Sequence, residues 1–269
     1  MRACRFGSAV GLTVVLGLAS CQTVPLTGRS QLNFVPMATM LSMSQDQYGQ
    51  FLKENRVSGN AAQTQRVKSV GLRIARAVED YLRANNLAEE VAAFQWEFNL
   101  IEDASVNAWA MPGGKVVVYT GILPVTQTEG GLATVLGHEI AHVVAKHGNE
   151  RMSQQLLQQF GGVALSAALQ TSPAATQQLW MGVYGAGSQY GILLPYSRKQ
   201  EYEADQLGLI FMAMAGYNPE DAVAFWQRMA AEKKGGQTPE FLSTHPADAN
   251  RIAKLRELVP TAKAHYRSL

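Results

Sequence analysis

Within a chain of 269 residues, the stretch His138-Glu139-Ile140-Ala141-His142 constrains the fold more than any other. Two histidines four apart on a helix lie about 40° apart around the axis and one turn along it, so both imidazoles reach a single ion. The glutamate between them is placed to work on a water that such an ion carries. Leu132, Val135 and Leu136 precede the motif, and Ile140, Val143 and Val144 interleave it. The pattern predicts a buried helix, where imidazoles and a carboxylate without partners would be costly. The expected ion is one zinc per chain, bound by His138 and His142, with Glu139 as catalytic base. His147 lies about 140° round from His142 on a continuous helix. It is expected to be a helix-end residue beside Gly148, favourable to the dipole and not a ligand.

Catalytic zinc usually keeps three protein ligands and one open position, so a third donor must come from elsewhere. Glu201-Tyr202-Glu203-Ala204-Asp205 is the best source. Glu201 and Asp205 are four apart on one helical face that continues with Gly208 and Phe211-Met212. An acidic pair on an apolar stripe needs a cation. Glu201 is the expected ligand, and Asp205 is expected to accept the N–H of a ligand histidine, fixing its tautomer. Glu203 points elsewhere and is expected to be solvated.

The chain opens with Arg2 and Arg5, a short apolar run from Phe6 to Gly17, and Leu18-Ala19-Ser20-Cys21. A basic start, an apolar run and small residues describe a cleavable export leader. Its ending resembles the lipobox of bacterial lipoproteins, in which the cysteine is acylated, and Gln22 fits sorting to the outer membrane. Removing residues 1–20 takes the formal charge from +2 to zero and leaves nothing to suggest nucleic-acid binding. Losing Cys4 and acylating Cys21 leaves no thiol to mispair in an oxidising compartment. A core rather than disulfides must hold the fold, and a 47% hydrophobic chain of this length supplies one.

Val24–Arg29 is expected to be a tether and turn, followed by a strand at Gln31–Val35. Ser44 to Gln47 has capping-box spacing and predicts a helix to about Asn55. A second helix is expected from Ala61 to about Asn85, buried along Val67, Val70, Ile74, Val78 and Tyr81. Strands are expected at Phe94–Leu100, Val106–Ala110 and Lys115–Thr120, the last two joined by Pro112-Gly113-Gly114. The motif helix should run from about Thr128 to His147. The Gln-, Ala-, Gly- and Ser-rich stretch Glu150–Ser188 reads as two helices, either a buried hairpin or a lid. Further helices are expected from Ser197 to Ala215, from Asn218-Pro219-Glu220 to Lys233, and from Ala247 to Leu258, the last stopped by Pro260; Gly235-Gly236 is a loop. The fold class is therefore α+β, mostly helical, with a small antiparallel or mixed sheet. The expected layout is a leader at 1–20, an anchored N-terminal segment at 21–43, a catalytic domain at 44–260 and a tail at 261–269.

The motif helix, the segment Ser197–Asp205, Ser243-Thr244-His245-Pro246 and the strand-and-turn Asn107–Gly114 together resemble the gluzincin family of CAAX prenyl protease, HtpX and Oma-type peptidases. The matches run in family order from about residue 25 to 258, nearest in layout to soluble, lipid-anchored periplasmic members. The resemblance implies a zincin-like core, His138, His142 and Glu201 as zinc ligands, Glu139 as base and Asp205 behind the ligands. It also implies that Asn107, Ala108, Trp109 and Ala110 line the cleft and pair with substrate backbone. It raises His245 to a functional residue, either stabilising an oxyanion or occupying the open zinc position. Arg251 is expected to brace the His245 loop and His265 to be exposed. The expected function is hydrolysis of peptide bonds in unfolded or misfolded envelope proteins, in the periplasm, with a lipid anchor at Cys21 holding the enzyme to the membrane. A chaperone-like outer-membrane assembly factor with a gated zinc site, and a hydrolase of peptidoglycan peptides, are the competing readings.

Overall fold

A computed structural model of the protein describes residues 21–160, 180, 183, 197–232, 238–245 and 250–267. The expected leader, most of the Glu150–Ser188 stretch and the Gly235-Gly236 loop lie outside the described residues. The described chain opens with an antiparallel hairpin, β1 (Cys21–Thr23) and β2 (Ser30–Leu32), turned through Leu26 and Gly28 at φ near 68° and 66°. Helices α1 (Met37–Glu54), α2 (Ala61–Ala84) and α3 (Ala88–Val91) follow, then β3 (Glu97–Ile101), β4 (Ala108–Met111) and β5 (Lys115–Tyr119). A 3₁₀ turn (Thr120–Ile122) and α4 (Leu123–Thr126) lead into the motif helix α5 (Glu129–Val144). The remainder is helical: α6 (His147–Phe160), α7 (Arg198–Met214), α8 (Glu220–Glu232), α9 (Glu240–Thr244) and α10 (Arg251–Lys263).

The three-stranded sheet is mixed, in the order β3-β5-β4. β5 pairs parallel with β3 and antiparallel with β4, which leaves β4 at an edge. Every residue of β5 is buried because both sheet faces are covered. Val116 and Val118 face the main core of α2, α5 and α7; Val117 and Tyr119 face a second cluster with Met40, Tyr48 and Phe51 from α1. The two-residue alternation of a strand turns Ala108 and Ala110 toward the motif helix and Trp109 away from it. Trp109 packs edge-on against Phe51, ring centres 4.9 Å apart.

Fifteen of the sixteen α5 residues are buried, which is why the helix is apolar all round. Thr128 caps it, accepting from the Gly131 N–H at 3.1 Å. α7 lies directly across α5: a Cβ built on Gly137 would stand 2.9 Å from the Gly208 carbonyl oxygen, and one on Gly208 2.9 Å from the His138 nitrogen. Only glycine at both positions lets the two backbones approach this closely. Ser197 starts α7 through a capping box with Gln200.

Several boundaries differ from expectation. α1 starts at Met37, not Ser44; the Ser44 hydroxyl instead donates to the Pro112 carbonyl at 2.7 Å, pinning α1 to the turn after β4. β3 starts at Glu97, because the Phe94 N–H is still bonded to the Val91 carbonyl, at 3.0 Å, in the turn after α3. In α2 the buried stripe ends on Leu82 rather than the half-buried Tyr81. The motif helix stops at Val144, since Lys146 adopts φ 55° and His147 begins a new helix. Pro260 does not end α10, which runs three residues beyond it to Lys263. Near a helix end the lost hydrogen bond falls on Arg256, an exposed residue whose carbonyl water can reach.

Candidate active site

The α5–α7 crossing sets the site. His138 and His142 project from α5, Glu201 from the first turn of α7, and His245 follows α9; all four are at most 3% exposed. One donor atom from each lies within 4.8 Å of the others. His138 Nε2 is 3.1 Å from His142 Nε2 and 3.2 Å from His245 Nδ1. The Glu201 carboxylate oxygens lie 3.5, 3.4 and 3.0 Å from His138 Nε2, His142 Nε2 and His245 Nδ1. Tetrahedral zinc with bonds of about 2.0–2.1 Å separates its donors by about 3.3 Å, so the spacing suits that ion.

Charge points the same way. Glu139, Glu201 and Asp205 are buried carboxylates, and Arg251, 1% exposed, offsets one of them. A divalent cation would balance the other two. Arg251 donates to Asp205 through Nε at 2.8 Å and Nη2 at 2.7 Å, and to Glu201 through Nη1 at 2.9 Å. Its guanidinium stacks 3.5 Å over the Trp226 ring. Arg251 therefore holds the two carboxylates; the loop after His245, which it is expected to brace, lies outside the described residues. Asp205 Oδ1 lies 3.0 Å from His138 Nδ1, where an N–H would donate to it.

Protons register the same demand for positive charge. Burial opposes charging His138, but Glu201 and Asp205 outweigh it and raise the imidazole to about 9. Burial raises Glu139 to about 8. Against burial, His245, His138 and Arg251 hold Glu201 well below the usual carboxylate range. Desolvation takes His142 well below its ordinary value and His245 down to about 4. Glu139 Oε1 is buried and has no hydrogen-bond partner among the described residues, lying 3.3 Å from His245 Nε2 without bonding geometry.

β4 runs beside this group with an edge unpaired by any described strand. Asn107 is buried, its Oδ1 accepting from the Ala108 N–H at 2.9 Å. Phe241 N–H donates to the Val106 carbonyl at 3.0 Å, which ties the helix bearing His245 to the start of β4. A cavity lined by Met37, Phe94, Ala110, Met111, His142 and Val143, mostly apolar, opens between the strand and α5.

Three expectations fail. Glu203 is not solvated: it is 6% exposed and paired with Arg29 and His147. His147 does not cap a helix C-terminus: it opens α6 with its ring against His142, Nδ1 to Nδ1 2.9 Å. His265 is half-buried rather than exposed. Nothing local to Arg29 marked it as Glu203's partner.

A buried helix bearing two histidines and a glutamate, with a carboxylate donor on the crossing helix, defines a metallopeptidase. The match to peptidase family M48 runs over residues 61–259, and the chain belongs to that family. It is 33% identical over 261 residues to the mitochondrial metalloendopeptidase OMA1 of Schizosaccharomyces pombe, covering 96% of this chain and 72% of that protein. Human metalloendopeptidase OMA1 is 29% identical over 256 residues, with 93% of this chain and 48% of that protein covered. The β-barrel assembly-enhancing protease of Yersinia pestis is 32% identical over 174 residues, 63% of this chain and 36% of that one. The chain thus spans most of the fission-yeast relative but about half or less of the other two.

Proposed function

We propose that the chain is a zinc metalloendopeptidase that cleaves unfolded or misfolded envelope proteins, with His138, His142 and Glu201 as zinc ligands and Glu139 as base. The observation that carries this reading is a buried group of four donors within 4.8 Å of one another, beside a Glu139 oxygen that has no hydrogen-bond partner among the described residues. Zinc held by His138, His142 and Glu201 would supply Lewis acidity and would lower the pKa of a bound water from 15.7 toward about 7. Glu139 takes the proton from the attacking water and delivers it to the leaving amine nitrogen, help typically worth about 10²–10⁴ in rate. Asp205 fixes the His138 tautomer, and Arg251 keeps Glu201 and Asp205 ionised and in place. The open edge of β4, at Ala108–Met111, offers main-chain pairing to an extended polypeptide, and the apolar cavity beside it takes a side chain.

His245 acts as a gate. Catalytic zinc keeps a position open, and a fourth protein donor closes it. The 3.0–3.2 Å spacing of His245 Nδ1 from Glu201 and His138 supports that role over oxyanion stabilisation. The family favours hydrolysis over a chaperone-like assembly role.

The pattern of residues Arg2–Cys21 supports a reading in which the chain is exported, acylated at Cys21 and held to the outer membrane in the periplasm. Among the described residues no helix is long and apolar enough to cross a membrane. The OMA1 relatives carry mitochondrial names, so the anchor needs its own test: labelled palmitate should enter the protein and be lost in Cys21→Ala. For the chemistry, Glu139→Gln should bind zinc and lose casein cleavage, while His138→Ala should lose both. Wild-type cleavage by Glu139→Gln would refute the assigned base.

A further inference from the structure

His142 is backed by a second imidazole. Its Nδ1 lies 2.9 Å from His147 Nδ1, and His147 Nε2 lies 3.0 Å from Glu203 Oε2. Glu203 also accepts from the Thr27 hydroxyl and, at 2.5 Å, from Arg29 Nε. The rest of the Arg29 guanidinium closes on both Glu150 oxygens at 2.8 Å, and Gln200 Nε2 donates to the same carboxylate at 2.9 Å. His147, Glu203 and Glu150 are at most 6% exposed. Three segments far apart in sequence meet here: the turn of the N-terminal hairpin, the first turn of α6 and the first turns of α7.

The direction of these hydrogen bonds follows from the donor group. His142 turns Nε2 toward Glu201, so its hydrogen sits on Nδ1. His147 must then accept at Nδ1, carry its own hydrogen on Nε2 and donate it to Glu203. His138 differs, with its Nδ1 meeting the Asp205 carboxylate directly at 3.0 Å. A purely structural role is the competing account. Buried ion clusters, however, seldom stabilise a fold more than apolar packing of the same volume, whereas groups bonded to a metal ligand orient it and tune its basicity.

We propose that His147 and Glu203 are positioning residues for His142, and that Arg29 completes the array, so that the N-terminal hairpin is part of the hydrolytic site. Arg29 precedes the family-matched segment 61–259. The inference rests on His142 being a metal ligand.

The test is zinc affinity of the full chain, measured by competition with a chromophoric chelator. His147→Ala should bind about 10–100-fold more weakly. His147→Asn, whose amide oxygen stands near the Nδ1 position, should recover most of that loss. Arg29→Met should weaken binding by a smaller factor. Wild-type affinity in His147→Ala, with only its unfolding midpoint lowered, would overturn the array while leaving the metal site intact. Failure of the wild-type chain to bind zinc, or equal binding by His138→Ala, would instead overturn the metal site and the array together. Should His147→Ala not fold, long-range ¹⁵N–¹H spectra of the zinc-loaded wild-type chain decide: an Nε2–H tautomer at His147 supports the array, and an Nδ1–H tautomer refutes it.

Discussion

Gly208→Ala is the substitution that separates helix propensity from site geometry. In an ordinary helix interior the change stabilises by about 1 kcal/mol. At Gly208 the added Cβ would meet His138 N at 2.9 Å and the Gly137 carbonyl carbon at 3.0 Å, whereas ordinary contact begins near 3.4 Å. The obstructing atoms are backbone and cannot rotate away, so α7 must move about 0.5 Å from α5. Strain of this kind costs about 1–3 kcal/mol, leaving a net loss of roughly 0–2 kcal/mol. Glu201 lies two turns from Gly208 on the same face and moves with it. Donors set 3.0–3.5 Å apart must be held to within about 0.5 Å, and the shift uses up that whole margin, so zinc affinity should fall by about tenfold. Urea unfolding and chelator competition measure the two effects. Gly49→Ala in α1, where a Cβ meets nothing within 4 Å, is the control and should stabilise by about 0.5–1 kcal/mol with affinity unchanged. Were Gly208→Ala to behave like Gly49→Ala, the close crossing would have no part in building the site.

Two further outcomes follow from the same geometry. His245→Ala should raise the rate of casein cleavage, because it opens the fourth position; a fall of 10²-fold or more would assign His245 to transition-state stabilisation instead. Zinc binding should also expel protons. His138, raised to about 9, and Glu139, raised to about 8, both carry one at pH 7; bound zinc requires His138 to give its proton up, and the nearby divalent charge drives Glu139 to ionise. Calorimetry in buffers of different ionisation enthalpy should find about two protons released near pH 7 and progressively fewer toward pH 9. Zero release at pH 7 would contradict the charge balance drawn for the site.

The residues at helical spacing were legible from the chain alone. His138 and His142 share one face of α5, Glu201 and Asp205 share one face of α7, and α7 starts after Ser197 as expected. Glu203 was misjudged because spacing shows which way a side chain points, not what covers that side. α7 is buried on nearly all faces, and the partner that makes Glu203 tolerable is Arg29, 174 positions earlier. His147 was misjudged because its predicted direction assumed an unbroken helix, and the positive φ of Lys146 redirects it. The start of α1 left no trace, since Pro36 precedes it without a side-chain cap and Ser44–Gln47 imitates one inside the helix.

X-ray absorption at the zinc edge, on the purified chain loaded with one equivalent, tests the central claim most directly. The account predicts a stoichiometric four-coordinate ion at about 2.0–2.1 Å with imidazole scattering, and loss of the ordered site in Glu201→Ala. A chain that retains no stoichiometric zinc, or an ion whose shell is the same without Glu201, would contradict it.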